Sequence, residues 1–439
     1  MNLAITKKQA RLSPFVPCIL GFMVLLFLRD YIGTSIPNIL FLVLVAFIAL
    51  FADKTEVIAF CFCCTPMLNA FQSKYALLIC IVTYLFRFSN KKIRVTPFIF
   101  PVIILMIWDI FHGFTGDFSP METLRVFTEM LFICFVLCRE KNELDFSKII
   151  RSMSVVAVVV CLIILLGQLK TINYNIVALF SGVFRFGYAV DETRMSVGYN
   201  PNYLAYICLS CVEGLTFIFY KKQHNLFDLV MLAALSLFGM LTLSKKFIIC
   251  AVFFVALFFI SKKGNKLKSF LYIAVALVMI VALFRIIFPT AYENFILRFN
   301  EADMSTGRDS IMKKFNDLLW NQPEVLLFGT GLTGFTSILQ GKYGIVGVPH
   351  NGFQEMIIVW GIFGFILFMA FLVGVIIRAK QINPEMTFVN FIPYLVMLLN
   401  ASVSQLVSSS PSIMCLAIMY LCMSVNTKSL NNTYKQRNS

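Results

Sequence analysis

The chain has 439 residues, of which 59% are hydrophobic and only 13% charged, with a formal net charge of +15. Its mean hydropathy of +0.84 excludes a soluble globular protein, which could not hide that much apolar surface at this length. The positive balance does not point to nucleic acid, because the lysines and arginines fall in short clusters between apolar runs, as the positive-inside rule requires of cytoplasmic loops.

Apolar runs of near-bilayer length recur from end to end, which predicts an all-α polytopic membrane protein. Helices satisfy their backbone internally in lipid, and the short alternating segments of a β-barrel are missing. From an inside start at Lys7, Lys8 and Arg11, spans are predicted at about 14–28, 35–52, 56–71 and 75–88. The first is read as a retained anchor, since no small-residue cleavage pattern accompanies it. The third is interrupted by Pro66 and Asn69. Within it, "CFCC" at 61–64 looks like a metal cluster but lacks histidine or carboxylate partners, so it reads as apolar filler.

The basic stretch "RFSNKKIR" at 87–94 marks the inside again. A hairpin follows at about 96–113 and 122–138, then a span at about 149–167 and an external loop at about 168–200. The chain re-enters at about 201–219, makes a second hairpin at about 226–243 and 247–260, and crosses again at about 269–288. The longest polar stretch, about 289–350, is read as external. Spans at about 353–377, 386–407 and 411–425 complete about twelve to fourteen helices with both termini cytoplasmic. Three regions result: N-terminal helices (1–167), a core with the two external loops (168–368), and C-terminal helices with a cytoplasmic tail (369–439).

Nearly all non-membrane residues on the outer face therefore lie in two loops, an arrangement suited to an enzyme working on the outer leaflet. Cations there run against the inside bias. They are Arg185 and Arg194 in the first loop, Arg298, Arg308, Lys313, Lys314 and Lys342 in the second, and Lys245 and Lys246 at the membrane edge. Cations at that boundary suit a lipid-linked phosphate or diphosphate, arginine best through paired hydrogen bonds. Lys246, Arg298, Lys313 and Lys314 are read as solvated or snorkelling side chains.

Only three histidines occur: His112, His224 and His350. The first two read as boundary residues. His350 opens "PHNGFQEMIIVWGIFGFILF", where a neutral imidazole could take a proton from a hydroxyl. Asn351 could cap the following helix, and Glu355 could orient the histidine, bind sugar hydroxyls or complement the helix dipole.

Four stretches then resemble, in order, the O-antigen ligase / O-antigen polymerase superfamily of bacterial envelope enzymes. "RMSVGYNPNYLAYICL" resembles its Asn-Pro-Asn opening of a central span. "LTLSKKFIICAVFF" resembles its Thr-x-Ser-Arg hairpin, with Lys245 where arginine is usual. "STGRDSIMKKFNDLLWNQPEVLLFGTGLTGF" resembles its Gly-Arg helix and the glycine-bearing segment after it. "PHNGFQEMIIVWGIFGFILF" resembles its His-Asn-x-x-x-Glu signature followed by Gly-x-x-Gly.

The resemblance implies a fold like the membrane-embedded GT-C glycosyltransferases and a donor glycan linked to undecaprenyl diphosphate. It implies no nucleotide sugar, metal or other cofactor. It gives Lys245 and Arg308 the diphosphate, with Arg185 and Arg194 as further candidates, and gives His350 the acceptor hydroxyl. Glu355 falls on the family's glutamate, and the catalytic set is therefore His350, Arg308 and Glu355.

Cations aimed at the leaving oxygen would supply the largest catalytic term, while the outer carboxylates show no paired-acid spacing of a glycosidase. "GTGLTG" at 329–334 lacks a preceding strand, so it reads as a tight loop over a cavity and not as a nucleotide site. The favoured function is polymerisation of lipid-linked repeats of O-antigen, capsule or exopolysaccharide in the cytoplasmic membrane, with a flippase and a chain-length regulator as further partners. A ligase moving polysaccharide to lipid A–core shares the same site. A flippase is the alternative of another class and calls for repeats and broken helices along a polar path.

Overall fold

Asparagine, aspartate and threonine residues stand at polar breaks of the sequence, and several helices start at them. Asp53 and Glu56 form a reciprocal cap, as do Asn225 and Asp228, and Asn351 accepts from the N–H groups of Phe353 and Gln354. The computed structural model describes residues 13–67, 73–88, 97–113, 120–137, 144–176, 186–187, 200–221, 223–261, 282, 285–286, 289–300, 308–332, 335–404 and 411–424.

In chain order the helices are α1 (Phe15–Phe27, prolonged by a π turn at Leu28–Ile32), α2 (Asn38–Phe51), α3 (Lys54–Cys63), α4 (Ser73–Phe88), α5 (Ile99–Gly113), α6 (Pro120–Phe135) and α7 (Phe146–Thr171). Then come α8 (Pro201–Tyr220), α9 (Leu226–Leu241), α10 (Lys245–Ser261), α11 (Pro289–Asn300), α12 (Arg308–Asn321), α13 (Pro323–Phe328) and α14 (Phe335–Tyr343). The last three are α15 (Gly352–Ile382), α16 (Phe388–Ser402) and α17 (Pro411–Ser424).

No strand occurs among the described residues, and the make-up is that of an all-α membrane protein. Four described helices are long and apolar enough to cross a bilayer: Phe15–Ile32, Phe146–Thr171, Pro201–Tyr220 and Gly352–Ile382. Five more apolar helices are shorter. The span expected at about 269–288 lies almost wholly outside the described residues. The stretch from 289 to 350, read as an external loop in which the resemblance placed one Gly-Arg helix, contains four helices, α11 to α14.

The core is built around α17. Every residue from Ile413 to Met423 is buried, as befits a helix that is apolar all round, and it packs against α6, α8, α15 and α16. Cys61, Cys63 and Cys64 are buried filler. No metal-sized group of ligands occurs among the described residues.

One end of the bundle is tied by ion pairs. Arg151 grips Asp228 through both carboxylate oxygens, Nε and Nη2 each at 2.7 Å, and Nη2 also donates to the Gln223 carbonyl. Lys148 reaches Glu56 at 2.8 Å. At this end Asn383 and Asn390 also donate to the carbonyls of Met423 and Cys422. Asp228 is wholly buried, so removing its partner leaves an uncompensated charge. Arg151→Ala is expected to cost about 3 kcal/mol, read as a lower melting temperature of the purified protein. The exposed Lys342–Glu324 pair, 4.0 Å apart, is the control, and Lys342→Ala should leave the melt unchanged.

Candidate functional site

The opposite end of the bundle gathers the motif residues in two groups. The first lies where α8 begins and α9 turns into α10. Asn200 caps α8, its Oδ1 accepting from the Asn202 N–H at 3.0 Å, with Pro201 at the first helical position. Ser244 donates to Asn202 Oδ1 at 2.9 Å, which locks the Asn-Pro-Asn motif to the Thr-x-Ser hairpin. Lys245 opens α10 and is partly buried.

The lysine that lines a pocket here is Lys246, which sequence alone assigned to the solvated set. Its Nζ donates to Ser404 Oγ at 2.5 Å, just beyond the end of α16. This shallow pocket has Asn202, Tyr206, Lys246 and Asn400 as its polar lining. Arg185 and Arg194 lie outside the described residues. The residue after Arg185 is pinned at this place: the Phe186 N–H donates to the Leu241 carbonyl at 3.1 Å, and its ring stacks on Phe238 at 5.3 Å.

The second group joins α12 to the start of α15. Arg308 is the first residue of α12, described for its backbone alone. His350 is half-buried in the turn that precedes α15. The two segments are stitched by Gln354, whose Nε2 donates to Asn316 Oδ1 at 2.7 Å and to the Met312 carbonyl at 3.3 Å. The approach to His350 runs beside the first turn of α12, where Gly347 faces Ile311. Glu355 has no exposed surface, and its N–H closes the first turn on the Asn351 carbonyl at 2.8 Å. The Glu355 carboxylate is shielded from solvent in this conformation.

Beneath this turn α15 is broken, a feature absent from the sequence reading of one unbroken span. Gly361 has φ 71° and ψ −179°, a conformation restricted in practice to glycine. The break exposes backbone carbonyls, and the segment after α13 takes them up. Thr330 N–H donates to the Ile358 carbonyl at 2.8 Å and Gly331 N–H to the Val359 carbonyl at 2.7 Å. Gly329 mirrors Gly361, with φ 82° and ψ −172°. A Cβ on Gly329 would overlap the Val359 carbonyl, and one on Gly361 would overlap that of Leu327. The expected tight loop at 329–334 is thus a backbone-to-backbone seat within the described part, 329–332. A broken helix is what a transporter calls for, but the carbonyls freed by this break are met by protein backbone.

The outer wall of the seat comes from α5. Trp108 Nε1 donates to the carbonyls of Phe328 and Trp360, each at 3.2 Å. His112 Nε2 lies 2.7 Å from the Phe328 carbonyl. His112 is therefore no mere boundary residue. Contacts of Phe98 with Gly374 and of Leu105 with Gly364 show that α5 and α15 run antiparallel.

Both groups lie toward the same end. Helix α16 turns back along α15 after residues 383–387, which carries Ser404 toward the level of Gly361. Residues 230–369 match the O-antigen ligase family. The matched stretch runs from α9 through the Gly361 break and includes Lys245, Arg308, His350 and Glu355. No curated protein matches the chain.

Proposed function

We propose that this chain, of which residues 230–369 match the O-antigen ligase family, is a glycosyltransferase of the O-antigen ligase/polymerase superfamily and a polymerase of lipid-linked repeat units. It joins undecaprenyl-diphosphate-linked oligosaccharides on the outer face of the cytoplasmic membrane. The observation that carries this reading is the stitching of the Arg308 helix to the His350 turn through Gln354, which draws a cation-bearing segment and a proton acceptor to one place.

In this reading a hydroxyl of the acceptor repeat attacks C1 of the donor sugar while His350 takes its proton. The C1–O bond breaks and its electron pair leaves on the lipid diphosphate. Arg308 and Lys245, with Arg185 and Arg194 from the first loop, stabilise that developing charge. Lys246, already turned into the pocket with Asn202 and Asn400, joins them at the membrane edge. Glu355 holds the turn from beneath. The reaction is a transfer in which one glycosidic bond replaces one glycosyl–diphosphate bond, so no nucleotide sugar enters.

A ligase would use the same groups with a different acceptor. A strain lacking the gene separates the two. Accumulation of a single lipid-linked repeat with loss of the polysaccharide ladder supports polymerisation, whereas long polysaccharide retained on its carrier lipid overturns it in favour of ligation. A flippase and a chain-length regulator complete the working set.

A further inference from the structure

We propose that Asp109, on α5 and outside the matched domain, is the positioning residue that seats the glycine loop beneath the His350 turn. Asp109 is 2% exposed. Its Oδ1 accepts from the Leu332 N–H at 2.8 Å and from Trp360 Nε1 at 3.0 Å. Its Oδ2 accepts from Thr123 Oγ1 at 2.7 Å. One carboxylate therefore ties together the end of the loop, the residue before the Gly361 break, and α6.

All three donors belong to buried residues. Buried donors left without an acceptor are costly, so these bonds hold the loop in one place and do more than decorate it. The Thr330 and Gly331 amides then meet the Ile358 and Val359 carbonyls, and the short helix that carries Glu355 is fixed against the lower part of α15. A residue of the N-terminal helices thereby acts on a site whose motifs lie further along the chain, at about 194–368. This inference rests on the polymerase reading only for its activity arm.

An asparagine is isosteric and keeps the arrangement. Its Oδ1 accepts from Leu332 and Trp360, and the Thr123 hydroxyl turns to accept from Nδ2. Alanine cannot do so. Hydrogen–deuterium exchange of the peptide covering Gly329–Leu332 reads the seat directly in purified full-length protein. Asp109→Ala is expected to speed exchange there by roughly tenfold or more, while Asp109→Asn stays at the parental rate. The polysaccharide ladder should follow the same order, lost in Asp109→Ala and kept in Asp109→Asn.

Unchanged exchange in Asp109→Ala overturns the inference whatever the ladder does. Faster exchange with a normal ladder overturns the positioning role. If the gene deletion itself leaves the ladder intact, the polymerase reading fails, and the exchange result still decides what Asp109 holds. Should Asp109→Ala fail to reach the membrane, the isosteric Thr123→Val removes one donor. It is expected to speed exchange at Leu332 by a smaller factor, and a parental rate there overturns the inference.

Discussion

Gly361→Ala is expected to lower the stability of the protein by at least about 3 kcal/mol, seen as a lower melting temperature and less protein in the membrane. Two terms add. A side chain at φ 71° and ψ −179° is strained in itself. The new Cβ would also overlap the Leu327 carbonyl, which cannot move away because the neighbouring Thr330 and Gly331 amides are bonded to α15. Gly329→Ala should behave alike, since Gly329 has the mirrored conformation and faces the Val359 carbonyl. Gly341→Ala is the control. Gly341 sits in α14 with nothing within 4 Å of an added Cβ, and a helix gains a little from the change. A parental melt for Gly361→Ala would mean that α15 does not need its break.

His350→Ala is expected to cut polymer formation by about 10² to 10⁴, the usual worth of a positioned general base, with the amount of protein unchanged. His350 is half-buried in a turn, so its removal opens no core. Arg308→Ala should give the same loss, through the leaving group and not the nucleophile. Arg308→Lys should recover part of it, because a point charge replaces a paired one. A gel of cell-surface polysaccharide at matched protein levels reads both. Normal ladders in His350→Ala and Arg308→Ala would remove these residues from the chemistry.

Much of the fold can be read from hydropathy because the bilayer imposes one length and one secondary structure. The helices Pro201–Tyr220 and Leu226–Leu241 begin where the apolar runs begin, since Pro201 and Asn225 mark those starts chemically. The break at Gly361 is invisible to such a reading. "WGIFG" is as apolar as its surroundings, and the polar groups that the break frees are met by backbone from 329–331, which carries no side-chain signature. Of the helices between 289 and 343, all but the expected Gly-Arg helix were hidden for the opposite reason, as the stretch is polar enough to pass for loop.

Local geometry was legible where a motif repeats a chemical need: the Asn-Pro-Asn stretch opens its helix and Asn351 caps the one after His350. The support of the site was not. Trp108, Asp109 and His112 lie within about one turn of α5, and a lone carboxylate with a histidine three residues on in an apolar helix was the available signal. Lys245 was preferred to Lys246 because it stands at the arginine of the Thr-x-Ser-Arg resemblance, and spacing alone does not fix which way either lysine faces.

The most direct test uses the purified protein in lipid nanodiscs with a single undecaprenyl-diphosphate-linked repeat and nothing else. A polymerase needs only this substrate, as both donor and acceptor. The expected product is a ladder rising by whole repeats, still on lipid, with one free lipid diphosphate per new linkage and no ladder from His350→Ala. No product until lipid A–core or another acceptor is added would contradict polymerisation and make the protein a ligase.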